Sequence, residues 1–285
     1  MKTVIGSFYT ITGCLERTLR EVDASSWEAL NPIQARFLRI FEACRSDVEK
    51  IREIEYEVGV GTVDPVNTFL KRKNIKIQLD QIKPKDVAIA SVLDLLIEWV
   101  SEGKKSMIMR ERKDYPAVLL NRGVLVSNVK DFVNPVAKIT SKTEDKVYIT
   151  ILPEQPTSPF QIFELACKLI ENQESTKTLE FNGVKFPMIN LDKQPTIEWI
   201  IGIRANDWTI GQALQQIKLK LNEKGAHVKE AVAVTARASL ISKLQQPLTI
   251  DKPFLLVFHR PSLKRPLFSA FLSEDCWQNP GSLDM

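Results

Sequence analysis

Cysteine is scarce in this chain: four in 285 residues, Cys14, Cys44, Cys167 and Cys276. No two stand at the close spacing of a zinc knuckle or a redox motif, which excludes that chemistry. Free thiols and disulfides both remain open at this level. Histidine is scarcer, with only His227 and His259. A hydrolytic triad needs a histidine base held by an acid, and no nucleophile-elbow glycine pattern accompanies either residue, so the chain is not read as an enzyme. His259, Asp275 and Cys276 form the one candidate metal set, and a polar terminus accounts for them as well. No glycine-rich phosphate cradle is present, so no cofactor is expected. No apolar run is long enough to span a bilayer. Residues 1–14 carry one early lysine and a short mixed run; they read as the first strand or helix rather than a signal peptide, although Ile11-Thr-Gly-Cys14 faintly resembles a lipidation site. An intracellular location is therefore favoured. Internal repeats and Gly/Ser linkers are also missing, and residues 1–285 are read as one domain.

Charge of one sign is in small excess, 39 Lys and Arg against 35 Asp and Glu, for a net charge of +4. That excess is spread out and does not call for nucleic acid. Lys71-Arg72-Lys73 and Arg110-Glu-Arg-Lys113 read as solvated faces, with a polyanion site as the alternative. Trp99, Trp199, Trp208 and Trp277 read as core or rim residues rather than a base-stacking platform.

What is present is a core-forming chain, 44% hydrophobic, with legible periodicities. Asn31-Pro32 starts an amphipathic helix predicted to run to Glu49. Ile54–Val60 alternates as a half-buried strand, Pro65–Lys73 is a short helix, and 75–79 alternates again. Pro84–Glu102 has apolar residues at 87, 90, 92, 93, 96, 97 and 100 and predicts the best helix, ended by Gly103. Ala117–Val126 predicts a buried central strand, and Val147–Leu152 a strand stopped by Pro153. Pro159–Asn172 predicts a helix, Thr178–Leu191 one or two strands, and Ala213–Leu221, Leu248–Ile250, Phe254–His259 and Leu267–Leu272 further strands. Helices dominate the first half and strands the second, an α+β pattern.

The last quarter carries the functional signal. A strand ending at Leu221 meets Gly225, then Ala226-His-Val-Lys-Glu-Ala-Val-Ala-Val-Thr-Ala236, then the apolar segments at 254–258 and 266–271. This order resembles the serpins, protease inhibitors that insert a cleaved loop into their own sheet. The resemblance extends upstream. Ile97–Ile108 resembles the end of the helix that crosses the main sheet, Ala117–Asn121 the central strand after it, and Phe181–Pro187 a strand on the approach to the hinge. It implies helices packed on mixed and antiparallel sheets, a reactive-centre loop at about 225–247, and a serine or cysteine protease as partner. It also implies an extracellular alternative for the location, and shortened members of the family are carried by large DNA viruses, where they modulate immunity.

Within the loop, Ala226, Val228, Glu230, Val232 and Val234 would face the core on insertion, with Gly225 as the free-moving hinge. Glu230 is the exception, because an unpartnered carboxylate in a core costs several kcal/mol. Counting forward from Gly225 places the scissile bond at Ser239-Leu240, and counting back from Pro253 places it near Ser242-Lys243. Arg237 or Lys243 suits a trypsin-like protease and Leu240 or Leu244 a chymotrypsin-like one. The chain also departs from the family. It reads as truncated at the N-terminus and in the middle, and the family's Ser-Pro-x-Ser helix start, which supports opening of the sheet, has no evident counterpart. The tryptophan at the sheet's upper opening is absent from its expected place, and Arg122 follows Asn121 where a small apolar residue is usual. These departures favour a second reading, a non-inhibitory binding or decoy protein that cannot insert its loop.

Overall fold

The computed structural model describes residues 1–93, 97–143, 145–172, 177–226, 246–281 and 283. They divide into two compact units: residues 1–6, 95–191 and 219–285, and residues 7–94 and 192–218.

The first unit is built mostly on antiparallel strands, with one parallel pair. Its seven-stranded sheet runs β1 (Val4–Ile5), β18 (Phe268–Leu272), β17 (Phe254–His259), β9 (Lys146–Ile151), β8 (Val136–Thr140), β7 (Val124–Asn128) and β10 (Lys177–Leu179). Helix α4 (Pro159–Glu171) covers one face, setting Ile162, Ala166 and Leu169 against Tyr148, Leu255, Val257 and Phe271. Its start is encoded locally. Ser158 accepts from Gln161 N at 3.3 Å, Gln161 Oε1 accepts from Thr157 N at 2.8 Å, and Pro159 needs no amide partner. A four-stranded sheet runs β16 (Leu248–Thr249), β11 (Val184–Pro187), β6 (Lys113–Leu120) and β5 (Lys104–Arg110). A two-stranded ribbon pairs β15 (Gly225–Ala226) with β4 (Ile97–Glu98).

The second unit holds helices α1 (Tyr9–Glu21), α2 (Pro32–Cys44) and α3 (Asp64–Arg72). Its five-stranded sheet runs β12 (Ile189–Lys193), β14 (Trp208–Leu221), β3 (Asp86–Leu93) and β2 (Ile54–Val60), with β13 (Arg204–Ala205) on β14. The first three residues of β12 and the last three of β14 belong to the other unit. Asn31 caps α2 as expected, accepting from Gln34 N at 3.0 Å, and the helix passes into a 3-10 turn at Arg45–Lys50.

The α+β architecture holds, while strands occupy both halves of the chain. The largest correction is Pro84–Glu102, which is not a helix. Asp86–Leu93 is a central strand, parallel to β14 from Thr209 to Ile217 and antiparallel to β2 over its whole length. Both faces are covered. Val63, Val66 and Phe69 pack with Ala88, Ala90 and Val92, and Cys14 of α1 donates to Ala90 O at 3.5 Å. A strand buried on both faces reads as a continuous apolar run, which a helical template also fits. Residues 97–108 are accordingly β4 and the start of β5, not the end of a crossing helix. The run 117–126 splits between β6 and β7 in two different sheets, and Thr178–Leu191 contributes to three strands. Residues 75–79 are in no strand. Asn67 of α3 bonds both Leu79 N (2.8 Å) and Leu79 O (3.1 Å), so a side chain takes the backbone partners a neighbouring strand would supply.

All four cysteines are free; Cys14, Cys44 and Cys276 are buried and Cys167 is half-buried. Desolvation raises the Cys14 thiol, and burial pushes Cys167 up to about 11. Native protein at neutral pH is expected to react with a thiol reagent slowly and at Cys167 alone. Because that pKa is raised, the rate should climb about tenfold per pH unit towards 11 as thiolate forms. Rapid labelling at pH 7, mapped by mass spectrometry, would contradict this.

Candidate functional site: the hinge and the anchors of the loop

Strand β14 ends at Leu221, and the four residues after it form a tight turn. Asn222 N donates to Gly225 O at 2.9 Å, Gly225 N returns to Asn222 O at 3.3 Å, and Asn222 Oδ1 accepts from Lys224 N at 2.9 Å. Gly225 has φ +143°, and a Cβ there would lie 2.2 Å from Ile97 O. Glycine is thus required twice, by conformation and by the approach of β4. Gly225 lies opposite Glu98 and Ala226 opposite Ile97.

β4 is itself held from its other side. Lys142 N donates to Glu98 O at 2.9 Å, the Lys142 ammonium pairs with the Glu98 carboxylate at 2.6 Å, and Trp99 bridges to Ser141. Trp99, 2% exposed, donates its indole N–H to Asn222 O at 3.0 Å and meets Phe186 edge-on at 6.1 Å. Gly103 N donates to Glu223 O at 2.7 Å, and Lys105 pairs with Glu223 at 3.3 Å. The turn is therefore pinned by backbone bonds, one indole and two ion pairs. The pairs are partly solvated and contribute up to about 1 kcal/mol each, so the buried indole is the stronger fastener.

The far end of the loop is anchored on another sheet. Leu248 and Thr249 lie parallel to Val184 and Lys185, with Leu248 N bonded to Gly183 O at 3.0 Å and Ile250 N to Lys185 O at 2.8 Å. Of the sequence-predicted site residues, Gly225 and Ala226 stand at this turn, as β15. Val228, Glu230, Val232, Val234, Arg237, Ser239, Leu240, Ser242 and Lys243 lie outside the described residues. The candidate metal set is not assembled among the described residues: His259 Nε2 faces Leu263 O at 3.3 Å, while Cys276 donates to Ser273 O at 3.1 Å.

Two residues do more than the sequence reading gave them. Trp99, read from the sequence only as a core or rim aromatic, fastens the turn at Asn222. Recognising 86–93 as a strand would have exposed it. Ser7-Phe8-Tyr9-Thr10 begins α1, and Gln215 of β14, 3% exposed, donates to Ser7 O at 2.9 Å and Thr10 Oγ1 at 2.6 Å. Its signal in the sequence was weak, because Gln215 is one of three glutamines in β14, with Gln212 and Gln216.

This fold is shared with solved structures. The chain has the serpin fold. Mouse protein Z-dependent protease inhibitor superposes with a TM-score of 0.58 at 12% identity, over 95% of this chain and 90% of that one. Human thyroxine-binding globulin complexed with thyroxine gives 0.58 at 12% identity, over 94% and 91%. Serpin-12 of Manduca sexta gives 0.58 at 11%, over 96% and 93%. No protein-family model and no curated protein sequence matches the chain. At such identities the likeness establishes the serpin fold, and the hinge residues above are this chain's own.

Proposed function

We propose that this protein is a serpin-type inhibitor of a serine or cysteine protease, and not an enzyme. The observation that carries the reading is the pair of anchors that flank residues 227–245 in the sequence, β15 on β4 before them and β16 on β11 after them. The segment is bait, and β14 leads straight into it. Cleavage would leave an acyl-enzyme, and the freed segment would enter the five-stranded sheet beside β14. Both neighbours of β14 are taken, β3 on one side and β12 on the other, so entry separates a ladder and re-forms two. Incubation with trypsin, chymotrypsin and a papain-type protease, followed by a denaturing gel, tests this. A covalent complex supports trapping; a loop cut without complex at every protease rejects it.

Gln215 gives a finer test. Its amide ties β14 to the start of α1. Gln215→Leu leaves buried polar partners unsatisfied and is expected to cost about 1–3 kcal/mol. With that tie removed β14 parts from β3 more readily, so the ratio of complex to cut protein should rise. An unchanged ratio would remove Gln215 from the opening.

The second reading is a non-inhibitory binding or decoy protein. It is favoured by Glu230, a charged residue in the set that must enter the core, and by the equal likeness to a thyroxine-bound globulin. Melting before and after nicking within 237–244 separates the two. A large rise in Tm follows from insertion, and no change supports the binding protein.

A further inference from the structure

Residues 76–82 connect α3 to β3 and make no backbone–backbone hydrogen bond among the described residues. Two side-chain amides hold this stretch instead. Asn67 of α3 donates to Leu79 O and accepts from Leu79 N. At the next residue, Gln212 of β14 donates to Asp80 O at 2.8 Å and accepts from Asp80 N at 3.1 Å. Each amide serves both backbone groups of one residue, as a neighbouring strand would. Ile77, Leu79 and Ile82 are half-buried. Together with Leu214 of β14 they pack against the cluster that joins Val66, Phe69 and Leu70 of α3 to Ala88 and Ala90 of β3. The ladder beneath is the weaker of the two that β3 makes: β3 is antiparallel to β2 but parallel to β14, and parallel pairing is slightly less stable per residue. It is also interrupted. Ile210 lies opposite Val87 and Gln212 opposite Ala88, with Gly211 between them as a bulge.

We propose that residues 76–82 are a strap that holds the β3–β14 seam shut from the α3 face, with the Gln212 amide as its releasable fastening. Asp80 stays with α3 through Leu79 and Asn67, so β14 cannot move away from β3 until Gln212 lets go of Asp80. Three residues further along β14, Gln215 reaches the start of α1 on the opposite face. The strand thus carries one amide fastening on each face, and losing either lowers the cost of opening without abolishing it. A stretch that only covered the sheet would need its three apolar residues and nothing more. Asp80 is exposed, so water could satisfy both its backbone groups. A glutamine that matches both is a tie between elements, not a remedy for burial. The gating of the seam stands by itself. Its bearing on loop entry rests on the inhibitor reading, in which the cleaved segment enters beside β14.

Hydrogen exchange of the full chain, read by mass spectrometry, tests the strap. Gln212→Ala removes one fastening and Asn67→Ala the other, while Gln78→Ala, at an exposed strap position, is the control. Gln212→Ala is expected to speed exchange about fivefold at peptides covering 86–93 and 209–217, the low end for losing two solvent-exposed hydrogen bonds. The seven-stranded sheet should be unchanged, and so should both regions in Gln78→Ala. Asn67→Ala should loosen the same seam although Asn67 bonds the strap and not β14, an effect that a purely local Gln212 contact would not produce. Should Gln212→Ala fail to fold, Gln212→Glu keeps the shape and the acceptor, loses the donor, and is expected to act in the same direction. Faster exchange confined to 76–82, equal acceleration in every sheet, or no change at the seam overturns the strap. With trypsin, chymotrypsin and a papain-type protease, both variants should also raise the ratio of complex to cut protein. A seam that loosens in a protein that traps none of these rejects the inhibitor reading and leaves the strap. An unchanged seam in a protein that does trap overturns the strap alone.

Discussion

Trp99→Ala is expected to remove about 3–5 kcal/mol of stability, the range for truncating a large buried aromatic. The loss has two sources. The cavity beside Phe186 loses its edge-on ring, and Asn222 O loses its indole donor. Trp99→Phe separates them. It keeps most of the ring and leaves Asn222 O with only its longer bond from Gly225 N, so it should cost about 0.5–1.5 kcal/mol for the lost hydrogen bond. Urea unfolding of the three proteins measures the difference. If the inhibitor reading holds, both variants should also trap less protease, because the hinge is no longer presented in one conformation. A cost below about 1 kcal/mol for Trp99→Ala would show that the indole is not the fastener.

Gly225→Ala should act more locally and break the hinge. The new Cβ would meet Ile97 O at 2.2 Å and the Glu98 Cα at 2.9 Å, both backbone atoms with no rotamer to yield. The conformation itself, at φ +143°, is costly for any residue with a Cβ, by about 1–3 kcal/mol. An increment of about 2.7 kcal/mol corresponds to roughly a hundredfold shift between closed and open hinge. Hydrogen exchange should therefore accelerate by at least tenfold at peptides covering 97–103 and 219–226, with the seven-stranded sheet unaffected. Uniform acceleration across the chain, or none, would contradict the local account.

The relation between sequence and structure differs from segment to segment for physical reasons. Helices α2 and α4 were legible to the residue at their starts, because Asn31-Pro32 and Ser158-Pro159 write the cap and the first turn into four neighbouring positions. Strands β2, β9, β17 and β18 were legible from apolar runs and the turn residues that bound them. Gly225 was legible as the break between a strand and a run of small residues, which is a local signal; its role as a hinge belongs to the proposal. The assignment of 84–102 failed for an equally local reason. Val87, Ala90 and Leu93 satisfy helical spacing, yet the intervening Ala88, Ile89 and Val92 are buried too. Only covering elements on both faces make a strand of that run.

The sequence by itself determined the α+β class, the helix caps, the glycine at 225 and the composition of the segment that follows it. Tertiary structure decided what those parts do. It made 86–93 the partner of β14, turned Trp99 from a generic aromatic into the pin of Asn222, and gave Gln215 its two acceptors at the start of α1. Caps and turns are encoded within a few residues, so their physics is present in any short window. The Trp99, Gln215 and Lys105 contacts join residues 118 to 208 positions apart, and those pairings exist only once the sheets have closed.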